Sequence, residues 1–239
     1  MRLLDLTLCQ PEQNLALDEA LLEEAHQGGA GGEVLRIWEP REPIVVIGRS
    51  SRAVAEVDLE GCQQQGVPVL RRVSGGSAIV AGPGCLMYAV VLSYHQRPDL
   101  RSLDAAHRFV LETNRRALSN LCDGIERQGT SDLAVGPMKF SGNSLRCKRN
   151  HLLYHGTLLY DFRLELVPTY LRLPERQPEY RQGRGHEEFV MNLPTTGAAL
   201  REELIEAWSA HEDYGPWPAE RVERLVAEKY SKAEWNLRA

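Results

Sequence analysis

No stretch of this 239-residue chain holds the roughly 18 consecutive apolar residues that a membrane-spanning helix needs. The N-terminus also lacks the apolar core of a signal peptide. Cysteine is sparse and odd in number: Cys9, Cys62, Cys85, Cys122 and Cys147 are scattered, with no C-x-x-C pair. That spacing argues against a disulfide framework or a cysteine zinc site, and we expect reduced thiols in a cytoplasmic protein. No Gly-Lys-Ser/Thr closes a phosphate loop, and the dinucleotide fingerprint G-x-G-x-x-G is missing. Internal repeats and low-complexity runs are absent too. A net charge of −5 gives no basic excess, so neither nucleic acid nor a membrane is an expected partner.

What the chain does hold is an ordinary balance for a folded protein, 43% apolar and 26% charged. Its length suits one large domain, or one domain with a small appendage. The stretch around which it is organised is Arg71-Arg72-Val73-Ser74-Gly75-Gly76-Ser77-Ala78-Ile79-Val80. An apolar run, Val67 to Leu70, enters a basic pair, two glycines flanked by serines, and an apolar exit. Adjacent glycines let successive N–H groups converge on an anion. Two arginines at the entrance offer forked donors suited to phosphate or carboxylate. The competing reading is a hairpin turn with surface arginines.

Taken in order, Arg2 to Leu8 reads as an edge strand. Asn14 to Ala25 is a helix with Leu15, Leu17, Leu21 and Leu22 on an apolar stripe. Gly28 to Gly32 interrupts the pattern as a mobile loop. Val34–Trp38 and Ile44–Ile47 read as strands, and Val57 to Gln65 as a short helix. Leu86 to Leu92 is a buried strand. Leu103 to Leu121 is a helix with Ala105, Phe109, Val110, Ala117 and Leu118 turned inward. Strands follow at Ser131–Val135, Met138–Ser144 and His151–Leu159, the last two forming a hairpin at Cys147 to Asn150. Arg172 to Arg184 is a long exposed loop, the kind that serves as a lid or stays disordered. Helices at Ala198–Ala210 and Pro218–Tyr230 end the chain.

Two further segments add chemistry: Lys139-Phe140-Ser141-Gly142-Asn143-Ser144 and Tyr154-His155-Gly156-Thr157-Leu158-Leu159. With the central loop, in this order and spacing, they resemble the lipoate–protein ligase family of the biotin/lipoate ligase and octanoyltransferase superfamily. That family carries R-R-x-S-G-G-G-x-V, K-x-S-G-S/N-A/S and H-G-T-L-L segments; Ser77 stands here where its third glycine usually lies. The resemblance extends from the Asn14 to Leu21 helix, through Trp38, Val45 and Gly48-Arg49, to Phe189-Val190-x-Asn192-Leu193. It implies an α+β fold, a mainly antiparallel sheet flanked by helices. It implies ATP and Mg²⁺ as cofactors and lipoate as substrate, with lipoyl-AMP formed first. The lipoyl group then passes to a lysine on a lipoyl-domain protein, a 2-oxoacid dehydrogenase E2 or glycine-cleavage H protein.

Under that resemblance Lys139 is the catalytic residue, binding carboxylate and α-phosphate together. Arg72, Ser74, Gly75, Gly76, Ser77, Ala78, Ile79 and Val80 would hold phosphate and ribose. Asp132, in Gly129-Thr130-Ser131-Asp132-Leu133, would orient Mg²⁺ or adenine, or is an ordinary strand-edge acid. Ser141, Gly142 and Asn143 complete the lysine loop. His155 is either a general base toward the acceptor amine or a satisfied core histidine. Gly156 leaves room for a long acyl tail.

The alternative within the superfamily is an ATP-independent octanoyl or lipoyl transferase working through a cysteine thioester. Known transferase branches place that cysteine after the H-G strand or some fifteen residues before the lysine. Neither Leu164 to Tyr180 nor Ile125 to Thr130 contains one. Cys85, after Gly82-Pro83-Gly84, is the thiol expected to reach the central loop, with Cys122 as a second candidate. We therefore expect a catalytic domain over residues 1–195 and a helical tail over 196–239. Lys229 to Asn236 resembles the boundary after which many members continue into an accessory domain; the resemblance implies either a separate accessory subunit or two terminal helices that do its work within this chain.

Overall fold

The computed structural model describes residues 1–28 and 32–238. Most of the expected Gly28–Gly32 loop therefore lies outside the described residues. The chain opens with β1 (Arg2–Asp5), α1 (Pro11–His26), β2 (Val34–Trp38) and β3 (Ile44–Ile47). Two short helices follow, α2 (Ala53–Glu56) and α3 (Leu59–Gln64), then β4 (Val69–Arg71), β5 (Ile79–Ala81) and β6 (Cys85–Ser93). The long α4 (Leu103–Leu118) leads into β7 (Ile125–Gln128), β8 (Asp132–Val135), β9 (Met138–Cys147) and β10 (His151–Leu159). The rest is α5 (Leu166–Tyr170), α6 (Gly197–Ala207), β11 (Glu212–Asp213), α7 (Ala219–Leu225), one π turn over Val226–Tyr230, and α8 (Ala233–Asn236).

Eight strands form one sheet in the order β11-β1-β2-β6-β10-β9-β8-β7, and a smaller sheet runs β4-β3-β5. In the large sheet only the two pairs that involve β1 are parallel. The fold is thus the expected α+β, mainly antiparallel sheet flanked by helices. Strands covered on both faces read as unbroken apolar runs, and β6 shows why. Leu86, Tyr88, Val90 and Leu92 pack toward α4 and α6, whereas Met87, Ala89 and Val91 pack toward α1 and the small sheet. The second of these faces carries the site.

Helix α1 starts at Pro11, whose missing N–H costs nothing in the first turn. From Asn14 to Leu22 every residue is buried, the polar Asp18 and Glu19 included. The apolar stripe is real, but the helix lies inside the molecule rather than on its surface.

Several boundaries differ from expectation. The first strand stops at Asp5 and is not the sheet edge, because β11 pairs outside it. The Val57–Gln65 helix divides into α2 and α3, since Val57 is extended and bridges Leu171. The charged strand β7 was not foreseen: its Ile-Glu-Arg-Gln sequence buries only Ile125. In α4 the inward residues include Ala106, Leu111 and Asn114, while Ala105 and Phe109 are half-buried. Arg172 to Arg184 is mostly exposed, as expected, yet it is pinned at Arg181. That guanidinium is buried and stacks over Phe189 at 4.6 Å.

Candidate active site

The central loop joins β4 to β5 and is folded around its own arginines. Arg72 donates to the carbonyls of Val46, Gly75 and Ser77 and to Ser74 Oγ. Burial lowers its pKa to about 10, with the nearby Glu56 charge opposing that, so it stays cationic at neutral pH. Arg71 donates to five carbonyls, those of Gly48, Arg49, Ser51, Trp235 and Arg238. The expectation of two arginines holding out forks to a ligand is corrected here. Arg71 spends its donors on backbone carbonyls, Arg72 on three carbonyls and the Ser74 hydroxyl, and both fix the loop.

Two of the loop's carbonyls are also held by neighbouring hydroxyls. Ser144 Oγ donates to the Gly75 carbonyl (2.8 Å) and Ser51 Oγ to the Gly76 carbonyl (3.1 Å). Across a trans peptide the next N–H points the opposite way. The N–H groups of Gly76 and Ser77 therefore point away from these two hydroxyl contacts. That of Ala78 is taken by the Glu56 carboxylate, a partner the sequence did not suggest. Of the loop residues only Gly76 has a positive φ, +87°. The serine at 77 thus costs no backbone strain. Gly48 is needed for close approach, because a Cβ there would collide with the Gly76 carbonyl.

Lys139 enters from β9, where an irregular register opposite Leu133 and Ala134 turns it into the cavity. Its ammonium lies 2.8 Å from Asp132 Oδ1 with the side chain 26% exposed. Asp132 Oδ2 accepts from Tyr180 Oη at 2.8 Å, so both carboxylate oxygens are engaged. Burial first, and then the Asp132 charge, push the Tyr180 phenol well above its ordinary pKa, so it remains a donor. Each carboxylate oxygen keeps a second lone pair beside these bonds, so the bonds alone do not bar a metal. Among the described residues no cluster of three His, Cys, Asp or Glu side chains could hold one.

His155 sits on β10, 8% exposed, with both ring nitrogens occupied. Nε2 is 2.6 Å from Ser74 Oγ and Nδ1 is 3.0 Å from Asp18 Oδ2. Asp18 also pairs with the fully buried Arg36, which reaches the Asn14 carbonyl and side chain as well. Burial alone would raise the Asp18 pKa, but Arg36 and His155 hold it below its ordinary value. The His155 ring thus ties the loop to α1. Gly156, which lines the site, also makes room for a neighbouring side chain. The space its side chain would fill belongs to Asn143 Oδ1, which accepts from Tyr88 Oη at 2.5 Å. Ser141 Oγ and the Ser131 carbonyl accept from the Asn143 amide.

Two connected cavities meet here. One runs past Leu15, Val46, Met87 and His155; the other past Phe140, Leu159, Val167, Leu171 and Phe189. Lys139, Gly142, Thr157 and Ser77 to Ile79 line both. Val80 lines the second only, while Arg72, Gly76, Asp132 and Asn143 line the first. No cysteine lines either among the described residues. Cys85, expected near the loop, is fully buried against Met87, and burial pushes its thiol far up. Cys122 lies after α4 with its thiol on the Asp123 carbonyl. Missed by the sequence reading were Asp18, Glu56 and Tyr180. Asp18 lies in a segment that reads as a simple amphipathic helix, and the other two in segments without a motif.

A half-buried lysine–carboxylate pair and a glycine loop thus line two adjoining cavities. Residues 10–210 match the family model of the lipoyl protein ligase A/B catalytic domain, and the chain belongs to that family. A provisionally named lipoate-protein ligase A of Aeropyrum pernix is 33% identical over 202 residues, covering 84% of this chain and 71% of that one. The octanoyltransferase LipM of Kyrpidia tusciae is 29% identical, covering 94% of each chain. The bi-partite lipoate protein ligase of Thermoplasma acidophilum, studied with its E2 lipoyl domain, superposes with a TM-score of 0.81. Its identity is 25%, over 99% of this chain and 95% of that one. A lipoate-protein ligase A structure bound with ATP gives 0.81 at 24% identity, covering 99% and 98%. The family therefore spans lipoate–protein ligases and octanoyltransferases. No helix among the described residues is long and apolar enough to cross a membrane.

Proposed function

We propose that this chain is a lipoate–protein ligase that forms lipoyl-AMP from lipoate and ATP and passes the lipoyl group to a lysine of a lipoyl domain. The observation that carries this reading is the position of Lys139 where the two cavities meet. A carboxylate arriving along one and a nucleotide along the other reach a single ammonium. In the first step a carboxylate oxygen attacks the α-phosphorus and pyrophosphate leaves. Lys139 offsets the charge gathering on the equatorial oxygens. In the second step the neutral acceptor amine attacks the acyl carbonyl and AMP departs. Asp132 holds Lys139 in place between the two events. Mg²⁺ enters this reading as part of the nucleotide substrate.

The lack of a cavity-lining cysteine among the described residues supports the ligase over a thioester route, since a thioester needs a thiolate within reach of the acyl carbon. The ATP-bound neighbour and the neighbour's E2 lipoyl domain support ATP as cosubstrate and a lipoyl domain as acceptor. A glycine-cleavage H protein offers the same kind of lysine. An accessory subunit would act on the cover formed by Arg172 to Arg184. Pyrophosphate release from ATP and lipoate, compared with transfer from pre-made lipoyl-AMP, tests the reading. No release, with octanoyl transfer from an acyl carrier protein proceeding instead, would select the transferase.

A further inference from the structure

The mouth of the cavity has a composition unlike the chain as a whole. The chain is net negative, yet Arg49, Arg52, Arg172 and Arg176 are all exposed at this rim. Arg52 and Arg176 border one shallow cleft with Gly76 and Ser77, and Arg49 directly follows the Gly48 contact with the loop. The carboxylates nearby do little to cancel them. Glu56 is engaged by the Ala78 N–H, and the Arg52–Glu175 pair is exposed at both ends, 62% and 77%.

Apolar exposure gathers at the same place. Among the described residues, four large apolar side chains are strongly exposed, and two of them, Val54 at 64% and Leu173 at 51%, stand between residues that line this mouth, Arg52 and Ala55 for the first and Arg172 and Pro174 for the second. They stand on segments zipped together by the Val57–Leu171 bridge and the Arg172 N–H bond to the Glu56 carbonyl.

A third feature is chemical. The chain has only four lysines, Lys139, Lys148, Lys229 and Lys232, and Lys139 alone lines the cavity. Every rim cation is a guanidinium, which keeps its proton at neutral pH and so offers no free amine to a mixed anhydride. The rim can draw in a negative surface without being acylated itself.

Resting on the ligase reading, we propose that this arginine rim, with Val54 and Leu173 as its apolar contacts, is the docking surface for an acidic protein domain that presents the acceptor lysine to the cavity. Charge of this kind steers encounter and sets the partner, and it weakens as salt rises.

The test measures binding of an isolated, acidic apo lipoyl domain of a 2-oxoacid dehydrogenase, at low and high salt. The full chain is compared with an Arg49→Glu/Arg52→Glu double variant and with Leu173→Asp. Binding should fall with salt, and each variant should lose on the order of tenfold in affinity while keeping its circular dichroism and melting temperature. Pyrophosphate release from ATP and lipoate, with no domain present, should be unchanged in the variants. Exchanging carboxylates beside the domain's target lysine for lysines should restore binding to the double variant. Equal affinity of variant and parent, no binding by the parent, or a fall in domain-free pyrophosphate release would each overturn the proposal. The last would assign the rim to the nucleotide. Arginine-dependent binding by a parent that releases no pyrophosphate would keep the docking surface and reject the ligase reading.

Discussion

Gly142 and Lys139 share one space: a Cβ on Gly142 would lie 2.8 Å from the Lys139 ammonium. Gly142 has no positive φ, so alanine suits its backbone and the only conflict is with the lysine head. Gly142→Ala should therefore push the ammonium off Asp132 while the fold stays intact. Adenylation should drop on the order of tenfold or more, against roughly a hundredfold or more for Lys139→Ala. Pyrophosphate release and melting temperature, measured together, check this. A Gly142→Ala protein with full activity would contradict it.

Acid should act through Asp18. Its pKa lies below 3.8 in the folded chain, so its ion pairs stabilise fully above 3.8 and lose that contribution as pH falls through the lower folded value. Asp18→Asn should leave the buried Arg36 unpaired and cost about 3–5 kcal/mol at neutral pH. The difference in stability between parent and variant should then shrink toward acid pH. Denaturant titrations at pH values on both sides of 3.8 measure it, and a gap independent of pH would refute it.

Arg71 should be a stability residue rather than a ligand contact. Arg71→Ala leaves five carbonyls without their shared donor, those of Trp235 and Arg238 at the chain's other end included. A loss of about 3 kcal/mol or more is expected, because bonds to a charged donor contribute about 1.5–3 kcal/mol each and do not add fully. Arg71→Lys should recover little, since one ammonium cannot serve five acceptors. Urea unfolding of the three proteins decides.

Cys85→Ala, Cys122→Ala and Cys147→Ala should each retain most of the ATP-dependent activity. A folded variant that loses all transfer would restore the thioester route.

The three motif segments were legible because each needs rare residues at fixed spacing: glycines for backbone approach, a lysine, and a histidine entering a strand. Individual strands were legible from apolar runs bounded by turns, whereas the antiparallel sheet came from the family resemblance. Asp18 was not, because a carboxylate on a leucine-striped helix reads as solvent-facing until the helix is seen buried on every side. Tyr180 and Glu56 reach the site only through tertiary packing, and nothing local marks them. Gly156 was legible as a constrained position, but its contact with Asn143 was not, since that side chain comes from the neighbouring strand. The arginine pair was read for its chemistry, but the nearest acceptors turned out to be the protein's own carbonyls.

The most direct test of the central claim mixes the purified chain with ATP, Mg²⁺ and lipoate, with no acyl carrier protein present. Pyrophosphate is followed in solution and the protein is examined by native mass spectrometry. The account predicts lipoate-dependent pyrophosphate release, lipoyl-AMP held by the protein without a covalent bond, and the loss of both in Lys139→Ala. No pyrophosphate, together with an acyl thioester on a cysteine once octanoyl-carrier protein is supplied, would contradict it.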